Sequence, residues 1–249
     1  YMKNLRILKS FQHDGFVIIK NVLTKTNLNN LMIDLERVKT KVVKRHNQFF
    51  HKTHDNKFNT IHNIQRFHKK GHIIELAKNK KIKNICKTLV GKKTIVRNIE
   101  FFLKPKKSGM PSPFHQDNYY WNIVNAEAVN VWIACSKVSK KNGGVCYLKG
   151  SHKLGIINHQ ISNMKGSSQM INKGILKNLK FKKIFPKLNP GDCLIHHPEV
   201  IHGSYKNNSN LDRVGFVVSY ASINHKIDKQ KLKNYKSKMI LNLKKIYKN

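Results

Sequence analysis

Two short segments of the chain carry side chains that could bind one metal ion. His115 and Asp117 lie two residues apart, and His202 follows much later, with Arg213 beyond it. On extended backbone, residues i and i+2 point to the same face, so His115 and Asp117 could reach one ion. Two imidazoles and one carboxylate on one face of a metal give the arrangement of non-haem Fe(II) sites, which leaves the other positions open. Arg213 suggests that a keto acid fills two of them, since a guanidinium binds a carboxylate through two parallel hydrogen bonds.

The second imidazole has three candidates in the sequence, His196, His197 and His202. Neighbouring residues of a strand face opposite ways, so at most one of His196 and His197 can face the interior. His202 precedes Gly203, where the backbone is expected to pass close to another segment, and Ser204, which is a hydroxyl donor. We therefore expect His202 to be the ligand, His197 to be packed near the site, and His196 to face solvent.

Length and composition fit a single domain over residues 1–249 with a sizeable hydrophobic core. The chain has no run of 18 apolar residues and no apolar signal segment at its start, so we predict neither a membrane span nor secretion. The four cysteines form no CxxC pair, which favours buried thiols in a reducing, cytoplasmic compartment. They are Cys86, Cys135, Cys146 and Cys193. The sequence does not indicate an oligomeric state.

The formal charge of +37 raises the question of a polyanion partner. Only six of the 49 basic residues are arginines, and the lysines are spread from end to end. Base and phosphate recognition favours arginine, because its planar fork binds two acceptors at once. We therefore expect a solvated lysine-rich surface with weak binding to duplexes at low salt and no specific nucleic-acid site.

Helical patterns are found mainly in the first part of the chain and at its end. A turn at Asp14-Gly15 leads into a strand, and Thr24 or Thr26 could cap a helix after it. Residues 73–90 predict one or two short helices ending at Gly91. Residues 226–249 predict a basic amphipathic helix lying on the domain. The apolar positions of the helix after Thr24 or Thr26, at helical spacing, are Leu28, Leu31, Met32, Leu35, Val38 and Val42.

Short runs rich in β-branched and aromatic residues dominate the rest of the chain. Gly, Pro, Asn and Ser punctuate them, which is typical of strands joined by turns. Helices first and short strands later predict a mainly β fold of the α+β type, an antiparallel jelly roll with an N-terminal helical layer. The runs are residues 93–104, 128–138, 144–149, 191–197 and 213–223. Arg213 begins the last of these runs, and we expect that strand to lie antiparallel beside the segment that carries His202.

An ordered set of motifs over residues 10–224 resembles the phytanoyl-CoA dioxygenase family. Besides Phe11 to Val22 at the start, the matching segments fall into three groups. The proximal group is Lys104-Pro105, His115-Gln116-Asp117 and Trp121. The central group is Val131-Trp132-Ile133-Ala134, Asn142-Gly143-Gly144 and Gly150-Ser151-His152-Lys153. The distal group is Pro190-Gly191-Asp192, His202-Gly203-Ser204, Asn208, Ser209 and Arg213.

This resemblance implies a double-stranded β-helix of the cupin-like type, with Fe(II) as cofactor and 2-oxoglutarate and O2 as cosubstrates. It implies release of succinate and CO2 coupled to hydroxylation of a small molecule. Related halogenating enzymes usually have Ala or Gly where Asp117 stands, so the carboxylate favours hydroxylation, with desaturation or ring formation as alternatives. By the same resemblance the iron ligands would be His115, Asp117 and His202. The 2-oxoglutarate site would be formed by Arg213, Ser204, Trp132 and Gln116.

The substrate is expected at the mouth of the jelly roll above the iron. Lipid-like acyl thioesters, amino-acid-like metabolites, phosphonates and polyketide-like natural-product intermediates are all compatible with the sequence. The covering segment would be residues 46–70 or residues 153–182, which are polar and have few apolar anchors. The strand at 93–104 can present one of two alternating faces to the cavity. The candidate contact residues are Tyr119, Tyr120, Trp121, Phe101 and Arg97.

Two other functions compete with this hypothesis. One is a basic polyanion- or nucleic-acid-binding protein on a degenerate oxygenase scaffold. The other is a metal-binding cupin-like protein without oxygenase activity. A degenerate scaffold would be expected to lose a ligand, whereas all three ligands are present here. A bare metal site has no need of a carboxylate clamp, so Arg213 and Ser204 argue against the second alternative.

Overall fold

Four helices in the first part of the chain form one layer of the fold. The computed structural model describes residues 2–42, 46–164 and 166–247. Thr24 caps the second helix, since its Oγ1 accepts a hydrogen bond from the backbone N–H of Asn27 at 3.1 Å. Gly91 ends the fourth helix with a left-handed φ of 75°. The helices are α1 (Met2–Asp14), α2 (Lys25–Arg37, continued by a π-helical turn Val38–Val42), α3 (His72–Ala77) and α4 (Lys80–Val90).

These helices agree with the sequence prediction except at the start of the chain. The predicted caps at Thr24 and Gly91 are confirmed. Helix α1 was not predicted, although Ile7, Leu8 and Phe11 lie at helical spacing and pack into the core. The side chain of Val42, which was expected on the apolar stripe of α2, lies outside the described part of the structure.

Two antiparallel sheets face each other as a jelly roll. The larger sheet contains β1 (Phe16–Ile19), β2 (Phe50–Lys52), β3 (Phe58–Ile61), β4 (Thr94–Lys104), β6 (Ala128–Ala134), β11 (Cys193–His196) and β13 (Arg213–Ser222). Its order is β1-β11-β6-β13-β4-β3-β2. The smaller sheet contains β5 (Ser112–His115), β7 (Val145–Leu148), β10 (Lys183–Ile184) and β12 (His202–Ser204), in the order β10-β7-β12-β5. The predicted jelly roll with a helical layer is therefore confirmed.

Residue alternation along the larger sheet separates a helix-covered core from the interior of the sandwich. On β6, Val131 and Ile133 join the core beneath the helices, whereas Trp132 packs between the sheets with Tyr147 of β7. On β13, Phe216 faces the helices and Val217 faces the smaller sheet. The period of two therefore turns every second side chain of the central strands toward the space between the sheets.

The two segments expected as loops or lids contain regular structure. Residues 46–70 form the hairpin β2–β3, which pairs with β4 at the edge of the larger sheet. Residues 153–182 contain a second hairpin, β8 (His159–Met164) and β9 (Ser167–Ile171), followed by α6 (Lys173–Asn178). The C-terminal segment forms the predicted helix, α7 (Lys229–Tyr247), which packs against the β8–β9 hairpin and against the short helix α5 (Asp117–Trp121).

One strand neighbour differs from the sequence prediction. Arg213 was expected to begin a strand beside the one that carries His202. Instead β13 pairs with β4 and β6 in the larger sheet, whereas β12 pairs with β5 and β7 in the smaller sheet. Arg213 and His202 therefore approach the interior from opposite sheets.

The cysteines agree largely with the expectation of buried thiols. Cys86, Cys146 and Cys193 are buried free thiols, and Cys135 is half-buried and also free. Among the described residues, no helix is both long and apolar enough to cross a membrane.

Truncating Leu31 should destabilise the fold by about 2–5 kcal/mol, because its side chain is fully buried under the sheet and Leu31→Ala leaves a cavity. Ile33→Ala is the matched control on the same helix, where the side chain is 54% exposed, and should change stability by less than about 0.5 kcal/mol. Urea denaturation at constant m value measures both. Equal losses in the two variants would contradict the packing described for α2.

Candidate active site

Strand pairing brings two of the candidate imidazoles together. His115 ends β5 and His202 begins β12, and the antiparallel register places them directly opposite each other. Their ring centroids lie 4.4 Å apart. The strands approach closely here, because a Cβ on Gly203 would lie 2.9 Å from the carbonyl oxygen of Ser112. The expected close passage of the backbone at Gly203 is thus confirmed.

A carboxylate joins the two imidazoles at the start of α5. Gln116 keeps extended backbone angles, and the chain turns into the helix at Asp117. The Asp117 Oδ1 atom lies 3.6 Å from His115 Nε2 and 3.7 Å from His202 Nε2. One ligand atom from each of the three side chains lies within 4.8 Å of the others, so together they could hold a single metal ion.

Both imidazoles are held with the Nε2 atom toward this point. His115 Nδ1 lies 2.7 Å from the carbonyl oxygen of Pro113, and His202 Nδ1 lies 3.0 Å from that of Val200. A carbonyl can only accept, so each Nδ1 carries the hydrogen and each neutral ring presents a lone pair on Nε2. Burial lowers the pKa of His202 to about 3, with the neighbouring His115 adding to the effect. A neutral imidazole is the form that binds a metal.

The second carboxylate oxygen of Asp117 is anchored to the larger sheet. Asp117 Oδ2 accepts hydrogen bonds from Asn130 Nδ2 at 2.7 Å and from His196 Nε2 at 3.0 Å. The hydroxyl of Tyr147 donates in turn to His196 Nδ1 at 2.8 Å. Burial alone would raise the pKa of Asp117, but the three surrounding imidazoles, led by His202, hold it well below the usual range. The ionised carboxylate therefore directs Oδ1 toward His115 and His202.

Beyond the triad formed by His115, Asp117 and His202, two basic side chains are buried between the sheets. This region is called the basic end of the cavity. Arg213 is only 2% exposed, and its guanidinium lies over the Trp132 ring at 5.3 Å. A Cβ on Gly215 would lie 2.0 Å from Trp132, so this glycine leaves the room that the indole occupies. Lys104, paired with Arg213 across β4 and β13, donates to Ser204 Oγ at 2.6 Å. The Ser204 hydroxyl hydrogen is thereby left to donate to another group.

No acidic side chain of the described residues neutralises these two cations. Arg213 donates to the carbonyl oxygens of Gly143 at 3.0 Å and Phe102 at 3.5 Å, and its Nε atom has no partner there. Burial lowers the pKa of Arg213 to about 9, which leaves it charged at neutral pH. Burial, together with the charge of Arg213, holds the pKa of Lys104 well below its usual value. Two buried cations without an acid are suited to binding an anion such as a carboxylate.

The triad and the basic end open into one cavity of about 650 Å³. Its outer wall combines Tyr120 and Trp121 of α5 with Arg97 of β4. Both hairpins and α7 also contribute side chains, for example Phe49, Met164 and Met239. The predicted helix at the C-terminus therefore forms part of the cavity wall as well as packing on the fold.

A comparison with protein families agrees with this geometry. Residues 11–215 match the family model described as phytanoyl-CoA dioxygenase. The chain belongs to the phytanoyl-CoA dioxygenase family. With its His-Asp-His triad, it is an Fe(II)- and 2-oxoglutarate-dependent dioxygenase.

Individual relatives of this family member are distant in sequence. The peroxisomal phytanoyl-CoA dioxygenase of Bos taurus is 24% identical over 233 residues, which cover 88% of this chain and 69% of that protein. A probable alpha-ketoglutarate-dependent hypophosphite dioxygenase of Stutzerimonas stutzeri is 25% identical over 154 residues, covering 60% of this chain and 53% of that protein.

Solved structures show the same fold. EctD from S. alaskensis with 2-oxoglutarate and 5-hydroxyectoine has a TM-score of 0.75 at 16% identity, covering 90% of this chain and 77% of that one. The epimerase SnoN, in complex with Fe3+, alpha ketoglutarate and nogalamycin RO, has a TM-score of 0.74 at 17% identity, covering 94% of this chain and 89% of that one.

Three residues that the sequence assigned to the dioxygenase site have side chains outside the cavity. Gln116 is buried with its amide donating to the carbonyl oxygens of Gly155 and Glu199, so it links two loops and does not line the cavity. Phe101 faces the helices, because the alternation of β4 turns Phe102 inward in its place. Tyr119 points to the far side of α5, where its ring stacks on His159 at 4.0 Å.

The structure also corrects the expectation that the side chain of His196 faces solvent. It is 2% exposed and contacts Asp117, because β11 turns it inward together with Leu194. His197 faces the other way, and its ring packs near those of Phe11 and His152. The sequence argument that only one of the two faces the interior is correct, but the expectation that His196 faces solvent is wrong.

Sequence reasoning missed Lys104 and Asn130 as site residues. Each left a signal: Asn130 is the one polar residue in the apolar run Ala128–Ala134, and Lys104 shares the inward parity of Glu100 and Phe102 on β4. A polar residue on the buried face of a strand needs a partner, which is a reason to place it at a site.

Replacing His202 should remove the metal, whereas replacing the neighbouring His197 should not. His202→Ala deletes one of the three donors, so we expect loss of stoichiometric Fe(II) binding under anaerobic conditions. His197→Ala is the matched control, because that imidazole packs against Phe11 and His152. Iron content per chain after desalting gives the answer. Retention of iron by His202→Ala together with its loss from His197→Ala would reverse the assignment.

Replacing Arg213 should weaken 2-oxoglutarate binding about a hundredfold. Removing one partner of a buried charge pair costs roughly 2–5 kcal/mol, and each 1.4 kcal/mol is about a factor of ten in affinity. Isothermal titration of Arg213→Leu with 2-oxoglutarate measures the effect, with the exposed Arg66→Leu as control. Arg213→Lys should fall between them, since it keeps the charge and loses the fork. An unchanged Kd in Arg213→Leu would exclude this role.

Proposed function

We propose that this dioxygenase hydroxylates an unactivated C–H bond of a small molecule, while 2-oxoglutarate and O2 are converted to succinate and CO2. The observation that carries the proposal is the division of the cavity. One end holds two buried cations without an acid, and the other end has aromatic walls, with the triad between them. Such a cavity can hold a dicarboxylate and a second molecule beside one metal ion.

Each residue of the site then has a distinct task in the proposal. His115, Asp117 and His202 would bind Fe(II), which supplies the activation of O2 when bound. Arg213 would pair with the far carboxylate of 2-oxoglutarate, with Ser204 donating a hydrogen bond and Lys104 adding charge. Trp132 supports the Arg213 guanidinium from below, which fixes the plane of its donors.

Asn130, His196 and Tyr147 are positioning residues in this proposal. They hold the carboxylate of Asp117 so that one oxygen stays directed at the metal position. Groups that orient metal ligands in this way typically affect metal affinity by about 10–100-fold. Their burial also keeps water away from Oδ2.

The alternative function as a polyanion-binding protein on a degenerate scaffold has less support. The triad, its hydrogen-bonded supports and the basic end are all present in the described residues. A scaffold that had lost its chemistry would have no reason to keep two cations and an aspartate buried at such cost. That α7 completes the cavity wall supports the further proposal that residues 1–249 form one oxygenase domain.

The experiment is a substrate screen with two coupled readouts. Protein, Fe(II), 2-oxoglutarate and O2 are incubated with acyl thioesters, amino-acid-like metabolites, phosphonates and polyketide-like compounds. We expect one class to stimulate succinate release and to gain one oxygen atom by mass spectrometry, and His115→Ala to abolish both. His225→Ala is the matched control, because its ring forms a hydrogen bond with the carbonyl oxygen of Ser222, outside the cavity.

The two readouts separate hydroxylation from its alternatives. The solved structures with a similar fold include an epimerase and a carbocyclase. Succinate release with a substrate that gains no oxygen would therefore contradict hydroxylation and favour epimerisation, desaturation or ring formation. No succinate above background with any compound or with 2-oxoglutarate alone would contradict the proposed activity itself.

A further inference from the structure

A β-bulge turns Arg97 into the cavity. In the pairing of β4 with β13, Asn98 lies opposite Ser219 and Val96 lies opposite Tyr220, so Arg97 is the extra residue with no partner across the ladder. A bulge shifts the alternation by one and re-aims a side chain, and bulges of this kind occur next to active sites. Arg97 therefore joins Asn98 and Glu100 on the cavity wall.

The guanidinium of Arg97 lies against α5, the short helix that begins with Asp117 of the triad. It stacks over the ring of Trp121 at 4.9 Å, and Trp121 is the last residue of this helix. Asp117 is near enough to act on the charge of Arg97. A group bound by Arg97 would thus lie on the substrate side of the triad.

No acidic group in the described structure takes up the donors of Arg97. The nearest carboxylate on its own strand, that of Glu100, accepts from His62 Nδ1 at 2.7 Å and from Asn98 Nδ2 at 2.8 Å. The carboxylate of Asp117 already accepts hydrogen bonds from Asn130 and His196, and its other oxygen faces the two imidazoles of the triad. Within residues 2–42, 46–164 and 166–247, Arg97 forms no salt bridge and no side-chain hydrogen bond. Burial lowers the pKa of Arg97, and the nearby charges of Glu100 and Asp117 offset this only in part.

Arg97 and Arg213 extend from well-separated positions of the β4–β13 pair. Arg213 lies opposite Lys104, seven residues along β4 from Arg97. At about 3.3 Å per residue the two backbone positions are roughly 20 Å apart along the sheet. Asn130, which holds Asp117, pairs with Ser219 at the level of Asn98. Along the sheet, the anchor of Asp117 is therefore at the level of Arg97 and several residues from the Lys104–Arg213 pair.

We infer that Arg97 binds an acidic group of the substrate, so that the substrate class is a small organic anion such as a carboxylate or phosphonate. This inference rests on the proposed function and deepens it. The guanidinium offers a planar pair of donors that matches a carboxylate or phosphonate edge, and Trp121 fixes its plane. The apolar part of the substrate then packs toward Phe102 and Met239, which line the same cavity.

Calorimetric binding to matched probes tests this inference without turnover. The wild-type protein is loaded anaerobically with Fe(II) and saturating 2-oxoglutarate, then titrated with hexanoate, hexanamide and hexylphosphonate. Hexanoate and hexanamide share one alkyl chain and differ in charge. We expect one of the two anions to bind at least about tenfold more tightly than hexanamide, which corresponds to a charge-assisted pair. The stronger anion identifies the carboxylate or the phosphonate as the acid group.

Two variants assign the effect to Arg97. Arg97→Gln should lower the affinity for the preferred anion about tenfold or more, leave hexanamide unchanged and leave the Kd for 2-oxoglutarate unchanged. The exposed Arg66→Gln should behave as wild type. Arg97→Lys should recover part of the anion affinity. An unchanged Kd for 2-oxoglutarate in Arg97→Gln also shows that the variant is folded.

The inference is overturned if neither anion binds wild type saturably up to its solubility limit, if neither is preferred to hexanamide, or if Arg97→Gln binds both as wild type does. These outcomes are distinct from failure of the proposed function. A screen without any succinate would contradict the oxygenase reaction and leave anion binding by Arg97 standing. Succinate release with neutral substrates alone, unaffected by Arg97→Gln, would contradict the inference and leave the reaction standing.

Discussion

The carboxylate of Asp117 is the point on which the arrangement of the site depends. One oxygen is fixed by Asn130 and His196 on the larger sheet, and the other faces His115 and His202 on the smaller sheet. A single side chain thus joins both halves of the jelly roll at the metal position. Because the carboxylate is buried and ionised, its two donors are needed to offset the cost of removing it from water, and those donors also fix its orientation.

Burial of charge is arranged in the same way at the two ends of the cavity. Arg213 lies over Trp132 and Arg97 lies over Trp121, and neither forms a salt bridge with the acidic side chains of the described structure. These are the two tryptophans of the chain. An indole face attracts a guanidinium and stabilises it by about 0.5–2 kcal/mol, less than a desolvated cation requires. Each arginine is therefore held in place but left with donors for a ligand, which a salt bridge would have consumed.

The sequence predicted those features that depend on residue type and period. The strands followed from β-branched runs, and His115, Asp117, His202 and Arg213 from ligand chemistry and spacing. What it missed depends on contacts between distant segments. Gln116 was misplaced because its partners are carbonyls some 40 and 80 residues away. Tyr119 was misplaced because α5 replaces the extended chain after Gln116, so that only Tyr120 and Trp121 face the cavity.

The bulge at Arg97 explains why the substrate end is harder to predict than the metal end. A strict alternation puts Arg97 on the same face as Ile99 and Phe101, which pack beneath the helices. The bulge adds one residue to the ladder, which turns Arg97 to the opposite face of the sheet. Strand β4 contains no glycine that would have indicated a bulge in the sequence. The deep end is built from the central strands of both sheets, whereas the outer wall is assembled from a bulge, two hairpins and α7. The side chains that donate to Asp117, those of Asn130 and His196, lie on the larger sheet, so substrate contacts on the outer wall can differ while these donors stay in place.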